Sequence, residues 1–187
     1  MKMLKKLLAI VLTGAMALSL FTACGSNAVT EKDIADALND IIKCAASGQP
    51  EPYTFKPRAA EREMAKAIAA LSDEDMKDTE QFGQGTDTIE VPKKAVKILG
   101  IDAGGENEKS RFVWCGATYA DGIGAAGQAC MLLDFLDVSA LNAHKLTGKE
   151  PAETRYMGTA LYKTVDKNGN PMTVRIVVVI AEAVDES

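Results

Sequence analysis

The chain of 187 residues holds one histidine and one tryptophan, and aromatic residues make up only 5% of it. With His144 as the sole histidine, nucleophilic and acid–base catalysis has little to work with. No G-x-S-x-G elbow accompanies it, so a hydrolase is the least favoured of the functional classes. A Cys–His pair with Cys115 or Cys130 is disfavoured too, because both cysteines sit in apolar surroundings. None of the four cysteines forms a C-x-x-C pair, which argues against a thiol-redox motif or a zinc knuckle. Basic residues are outnumbered, 21 against 26 acidic, giving a net charge of −5. An acidic chain has no electrostatic footprint for nucleic acid, and none for an anionic membrane surface. Internal repeats and low-complexity segments are absent. The longest apolar run, from Leu7 to Phe21, is about 15 residues, short of the ~20 that a spanning helix needs.

That short run is the most informative stretch present. Lys2, Lys5 and Lys6 precede it, and Thr22, Ala23 and Cys24 close it. The pattern resembles the signal of a bacterial lipoprotein, although Phe21 stands where that pattern more often has Leu. The resemblance implies cleavage after Ala23, a diacylglycerol thioether on Cys24, and an extracytoplasmic domain held to the membrane by acyl chains. At ~0.8 kcal/mol per buried methylene, two or three chains hold far more firmly than one. The expected organisation is a signal peptide over 1–23, the lipidated Cys24 with a tether over 24–30, and one α+β domain over 31–187. Taking 23 residues from 187 leaves 164, enough for a single core. The signal removes three lysines, so the mature chain has 18 basic and 26 acidic residues, a net −8. Of its three further cysteines, Cys44, Cys115 and Cys130, two could pair. Three buried apolar thiols are the competing expectation.

Along the domain, Thr30 and Asp33 form a capping pattern, and Ile34, Leu38, Ile41, Ile42 and Ala45 follow helical spacing. This predicts a helix over 31–46, ended near Gly48, with Pro50 and Pro52 keeping the next segment extended. Pro57 is expected to open a second helix, with Ala60, Met64, Ala67, Ile68 and Leu71 as its apolar stripe. A short helix over 73–79 follows, capped by Ser72. Its acidic run Asp73-Glu74-Asp75 suits a first helical turn better than a cation site. Residues 80–92 read as turn-rich with a short strand at 88–91. The next segment reads as a helix over 92–99 closed by Gly100, in competition with a strand over 96–101.

A strand is expected over 111–120, and 123–136, apolar nearly all round, reads as a sandwiched helix. A further helical turn is expected within 139–146. The clearest signal is C-terminal, where strands over 156–165 and 172–184 flank an Asn168-Gly169 turn. The second of these is apolar on both faces, as a central strand covered on both sides would be. The fold class is therefore α+β, a small and largely antiparallel sheet with helices on both faces, ending in a β-hairpin.

Two motifs imitate ligand loops. Gly122-Ile123-Gly124-Ala125-Ala126-Gly127 matches G-x-G-x-x-G, yet no acidic strand end follows about 20 residues later and no second βαβ unit is visible. No cofactor is expected. Asp166-Lys167-Asn168-Gly169-Asn170 opens like a calcium loop, but Pro171 stands at its sixth position and Val177 at its twelfth. The hairpin turn accounts for it.

The element order, Gly105-Glu106-Asn107, Ser139 and His144 after a helix, and the strand Tyr156-Met157-Gly158 together resemble the CAP superfamily of cysteine-rich secretory proteins. That resemblance spans about residues 31–184 and implies an α-β-α sandwich. Such proteins carry two His and two acidic residues in a cleft. Here Glu106 and His144 alone match, and Ser139 stands five residues before His144 with no Pro between. The sequence thus points to a membrane-anchored lipoprotein with a non-catalytic domain that binds an envelope protein or a small ligand, and no nucleic acid. The alternative is a CAP-like domain with a degenerate cation or small-lipid site at Glu106 and His144. No complete metal site is expected.

Overall fold

A computed structural model describes residues 29–84, 87–101, 110–136 and 140–186, apart from the side chains of 83, 84 and 87. The signal, Cys24, the Gly-Glu-Asn segment with Glu106, and Ser139 lie outside these residues. In chain order the elements are α1 (Glu31–Ala46), β1 (Thr54–Pro57), α2 (Ala59–Ala69), α3 (Asp73–Lys77), β2 (Thr79–Gln84), β3 (Asp87–Pro92) and α4 (Lys93–Leu99). They continue with β4 (Arg111–Tyr119), α5 (Ala125–Leu136), a 3-10 turn (Ala143–Lys145), β5 (Lys149–Val165) and β6 (Pro171–Asp185).

Four strands form the main sheet in the order β1-β5-β6-β4, and β2 pairs β3 in a separate ribbon. All pairings are antiparallel except that of β1 with β5. The α+β class and the C-terminal hairpin are therefore as the sequence predicts. β6 is central, and its alternating side chains feed two cores. Val177, Val179 and Ala181 pack with Phe55, Trp114 and Met157 under α1 and α5. Ile176, Val178 and Ile180 pack with Val113 and Cys115 under α2 and α4. A strand that must be apolar on both faces has no room for the polar alternation of a half-exposed one.

α1 begins with a full capping box: the Thr30 hydroxyl accepts from Asp33 N, and the Asp33 carboxylate accepts from Thr30 N. α4 closes at Gly100 with a left-handed residue (φ 67°), so the segment is a helix and not a strand.

Several expectations need correction. Pro57 ends β1 instead of opening α2, because Arg58 N still donates to Met157 O and continues the ladder. The helix starts two residues later and is rotated: Glu61, Ala65 and Ile68 are buried, while Ala60 and Ala67 are exposed. Gly158 explains the rotation. A Cβ there would lie 1.9 Å from Arg62 N and 2.0 Å from the Glu61 carbonyl carbon, so α2 sits directly on β5. β2 is a strand in a stretch read as turns, held by its ladder with β3. α5 is not sandwiched: Gln128, Ala129, Leu132 and Leu136 face the core, and Asp134 is exposed.

Candidate functional site

β5 carries the alternating pattern of a strand with one face inward, and Arg155 falls on the same phase as Met157, the inward phase. A register irregularity between Pro151 and Arg155 immediately precedes it. Such bulges re-aim the side chain that follows. Opposite Arg155 on β6 is Ala181, and beyond it on β4 is Phe112. The small alanine leaves the arginine side chain a path across the sheet. Its guanidinium lies 3.6 Å from the centre of the Tyr53 ring and 5.0 Å from that of Trp114.

Tyr53 meets Phe55 edge-on at 5.7 Å, and Phe112 stacks on Trp114 at 6.1 Å. The chain has only one Trp, four Tyr and five Phe; two of these rings flank this one cation, and two phenylalanines pack on those rings in turn. Arg155 is 9% exposed, and its Nε is fully buried without a hydrogen-bond partner. Burial pulls its pKa below the usual arginine value, and Tyr53 opposes that shift. An arginine so placed still remains charged.

The neighbouring cations are provided for differently. Arg58 grips the wholly buried Glu61 with a guanidinium fork. Arg62 pairs with Glu31 at 2.7 Å. Arg175 donates to Gln128 Oε1, Thr159 Oγ1 and the Val29 carbonyl, and Glu31 and Asp33 offset part of the effect of its burial. Arg111 donates through Nη2 to the Leu99 carbonyl and feels the charge of Glu61, although its Nε, like that of Arg155, is buried without a hydrogen-bond partner. Among the described residues no carboxylate, hydroxyl or carbonyl accepts from Arg155. Each flanking ring returns about 2 kcal/mol in a desolvated setting, less for Trp114 at the longer distance. The penalty for burying a cation is several kcal/mol. An incoming anion would remove that deficit with short charge-assisted bonds.

The residues expected to carry a site fare as follows. His144 sits in the 3-10 turn and is exposed. Glu106 and Cys24 fall outside the described residues. No group of three metal-ligating side chains occurs among the described residues. The glycine motif has local reasons for its composition. Gly122 takes φ 70° in a turn, and Gly127 lies against Ile123. Asp166 spends its carboxylate inside the hairpin turn, accepting from Asn168 N, Asn170 N and the Asn170 amide. The Asp73 carboxylate accepts from the Tyr162 hydroxyl at 2.6 Å.

Cys44, Cys115 and Cys130 are all unpaired thiols, and only Cys115 is buried, contrary to the expectation of three buried cysteines. Cys44 lands on the exposed side of α1, one residue off the apolar stripe. Burial pushes the Cys115 thiol up to about 12, which removes it as a nucleophile at neutral pH.

Arg155, Tyr53 and Trp114 are not singled out by any motif. The usable signal is a charged residue on the inward phase of a strand, beside an aromatic on the inward phase of another. Comparison with protein-family models, with curated proteins and with solved structures finds no match to this chain.

Proposed function

We propose that this chain is an extracytoplasmic lipoprotein, anchored through Cys24, whose domain is a non-catalytic receptor for a small ligand bearing a carboxylate or phosphate group. The observation that carries the ligand class is Arg155: a cation nine-tenths buried, flanked by Tyr53 and Trp114, with a buried nitrogen that bonds to nothing. The aromatic rings suit a ligand with an apolar body behind its anionic head. The signal pattern over 1–24 supports the anchor, and no described helix is long and apolar enough to cross a membrane.

What supports a binding rather than a catalytic role is the lack of a working nucleophile–base pair among the described residues. Cys115 is held protonated, and His144 is solvent-exposed. The cation-site alternative at Glu106 and His144 draws no support from the described geometry of His144.

Trp114 is the only tryptophan, so intrinsic fluorescence reports on this spot. Titrating the protein with succinate and with inorganic phosphate is expected to change its emission saturably, with the preferred anion at the lower concentration. Arg155→Met should abolish the change while keeping the circular-dichroism spectrum. Flat titrations in wild type with both anions and with longer aliphatic carboxylates would overturn the ligand class.

A further inference from the structure

The chain reaches the folded domain at one defined point. Val29 packs against the core, and its carbonyl accepts from Arg175 Nη2 at 2.7 Å. Two residues on, Glu31 accepts from Thr159 N and from Arg62. Both contacts lie at the level of Arg175, which registers with Leu161 on β5 and Thr118 on β4. From there α1 runs away from the hairpin turn, because Asn39 is bonded to Phe55, level with Arg155. Val29 and Thr30 therefore enter the domain at the end of α1 nearer the hairpin turn.

Past Arg175 the hairpin continues without cover on this face. Leu161 is 53% exposed and Val165 59% exposed, with exposed Lys163 between them on the same phase. Lys167 is exposed in the turn. The mature chain is acidic overall, but net charge averages over the whole surface. At this tip two apolar side chains alternate with lysine; Asp166, ionised within its own turn, and Asp121, which accepts from Thr173 N opposite Lys163, balance the two lysines, so the contact is chiefly apolar. From Leu161 to Val165 the strand advances about 13 Å at ~3.3 Å per residue. From Val29 back to Cys24 there are five residues, a reach of at most about 17 Å. Cys24 therefore lies within that reach of Val29, and the hairpin tip is about 13 Å from the same level. A Cys24 whose acyl chains sit in the bilayer brings the hairpin tip to the headgroups.

We infer that the β5–β6 hairpin tip, through Leu161, Lys163, Val165 and Lys167, is a second membrane contact that rests on a lipid surface beside the anchor. The inference rests on the lipoprotein reading. Its consequence is orientation: Arg155, six residues and about 20 Å from Leu161 along β5, then faces away from the bilayer. The ligand site is held outward, where solute arrives.

The test uses the full lipidated protein in vesicles of phosphatidylcholine and phosphatidylglycerol, with and without brominated acyl chains. Val165→Trp and Leu161→Trp are compared with Val184→Trp, an exposed position toward the opposite end of β6. Wild type, whose Trp114 is buried, supplies the baseline. We expect brominated lipid to quench the 161 and 165 probes at least about twofold more than the 184 probe. Replacing Lys163 and Lys167 by Glu should weaken that difference. Equal quenching at 165 and 184 in protein that stays vesicle-bound would overturn the hairpin contact and leave the anchor standing. A shielded emission at 165 that follows protein density and not brominated lipid would assign the surface to a second copy and also overturn it. Protein that fails to associate with vesicles, with or without Cys24, would instead reject the anchor.

Discussion

Single residues decide how closely the layers of this domain approach. Gly158 is the sharpest case. Its neighbours across the interface are the backbone of α2 at Glu61 and Arg62, which cannot swing aside as a flexible side chain can. Gly158→Ala should therefore cost about 3 kcal/mol or more, since the whole helix must lift. In a domain of this size that is a loss of roughly 10 °C in melting temperature. A thermal melt monitored by circular dichroism checks it, and an unchanged midpoint would mean that α2 does not rest on β5 at this point. The same contact explains why Glu61 is tolerated in the core. Arg58 follows the strand and turns its fork back on the carboxylate, while its own guanidinium lies 3.8 Å over the Tyr156 ring. The pair is partly exposed on the arginine side, so its water is not wholly lost. Arg155 has no such partner, which is why the proposed ligand site is placed at it and not at Arg58.

Among the elements, α1 is the one most completely written in its own residues. Its N-terminus is legible because the capping box is a local device: three residues, two reciprocal bonds. Thr30→Ala should cost about 1 kcal/mol. Part of that cost depends on pH. The Thr30 side chain, then its backbone N–H, holds the Asp33 carboxyl below its ordinary value of 3.8. A carboxyl with a lowered folded pKa adds stability that is fully present above the unfolded value and lost as pH falls through the folded one. The stability gap between wild type and Thr30→Ala should thus be constant from neutral pH down to about 5 and narrow below 3.8. Denaturant melts at pH 7 and pH 3 measure it; a gap that does not narrow would show that the carboxylate takes no part in the cap. α2 is less legible because its start depends on β5, 100 residues later in the chain. Pro57 is as good a first helical residue as a last strand residue, and only pairing with Met157 chooses between them.

At the scale of the whole molecule, the two proposals fall at different ends of the domain. One end carries Val29 and the exposed hairpin tip; the other carries Tyr53, Trp114 and Arg155. The buried Arg175, bonded to α5, β5 and the Val29 carbonyl, joins the entering chain to the core. An anchor through Cys24 makes a direct prediction. Cys24→Ala should abolish incorporation of labelled palmitate and move the protein from the detergent phase to the aqueous phase. The thiols of Cys44, Cys115 and Cys130 remain in that variant, so persistent labelling would show that acylation occurs elsewhere. Because the mature chain is acidic, the few lysines at the hairpin tip are not expected to retain it without the acyl chains.

The sequence by itself determined what is local or periodic. The caps of α1 and α3, the left-handed close of α4 at Gly100 and the Asn168-Gly169 turn each depend on a few adjacent residues. The two-faced apolarity of β6 is also read locally, because a β-branched apolar run following an Asn-Gly turn favours a strand covered on both sides over a buried helix. Tertiary structure alone decided the rest. Which face of α2 is buried follows from a glycine on another element. Cys44 lies exposed because the helical stripe passes one residue to its side. The proposed ligand site joins residues 53, 114 and 155, brought together by strand order and by a small residue at 181. Strand order arises from pairings across a hundred residues, and no spacing along the chain encodes it.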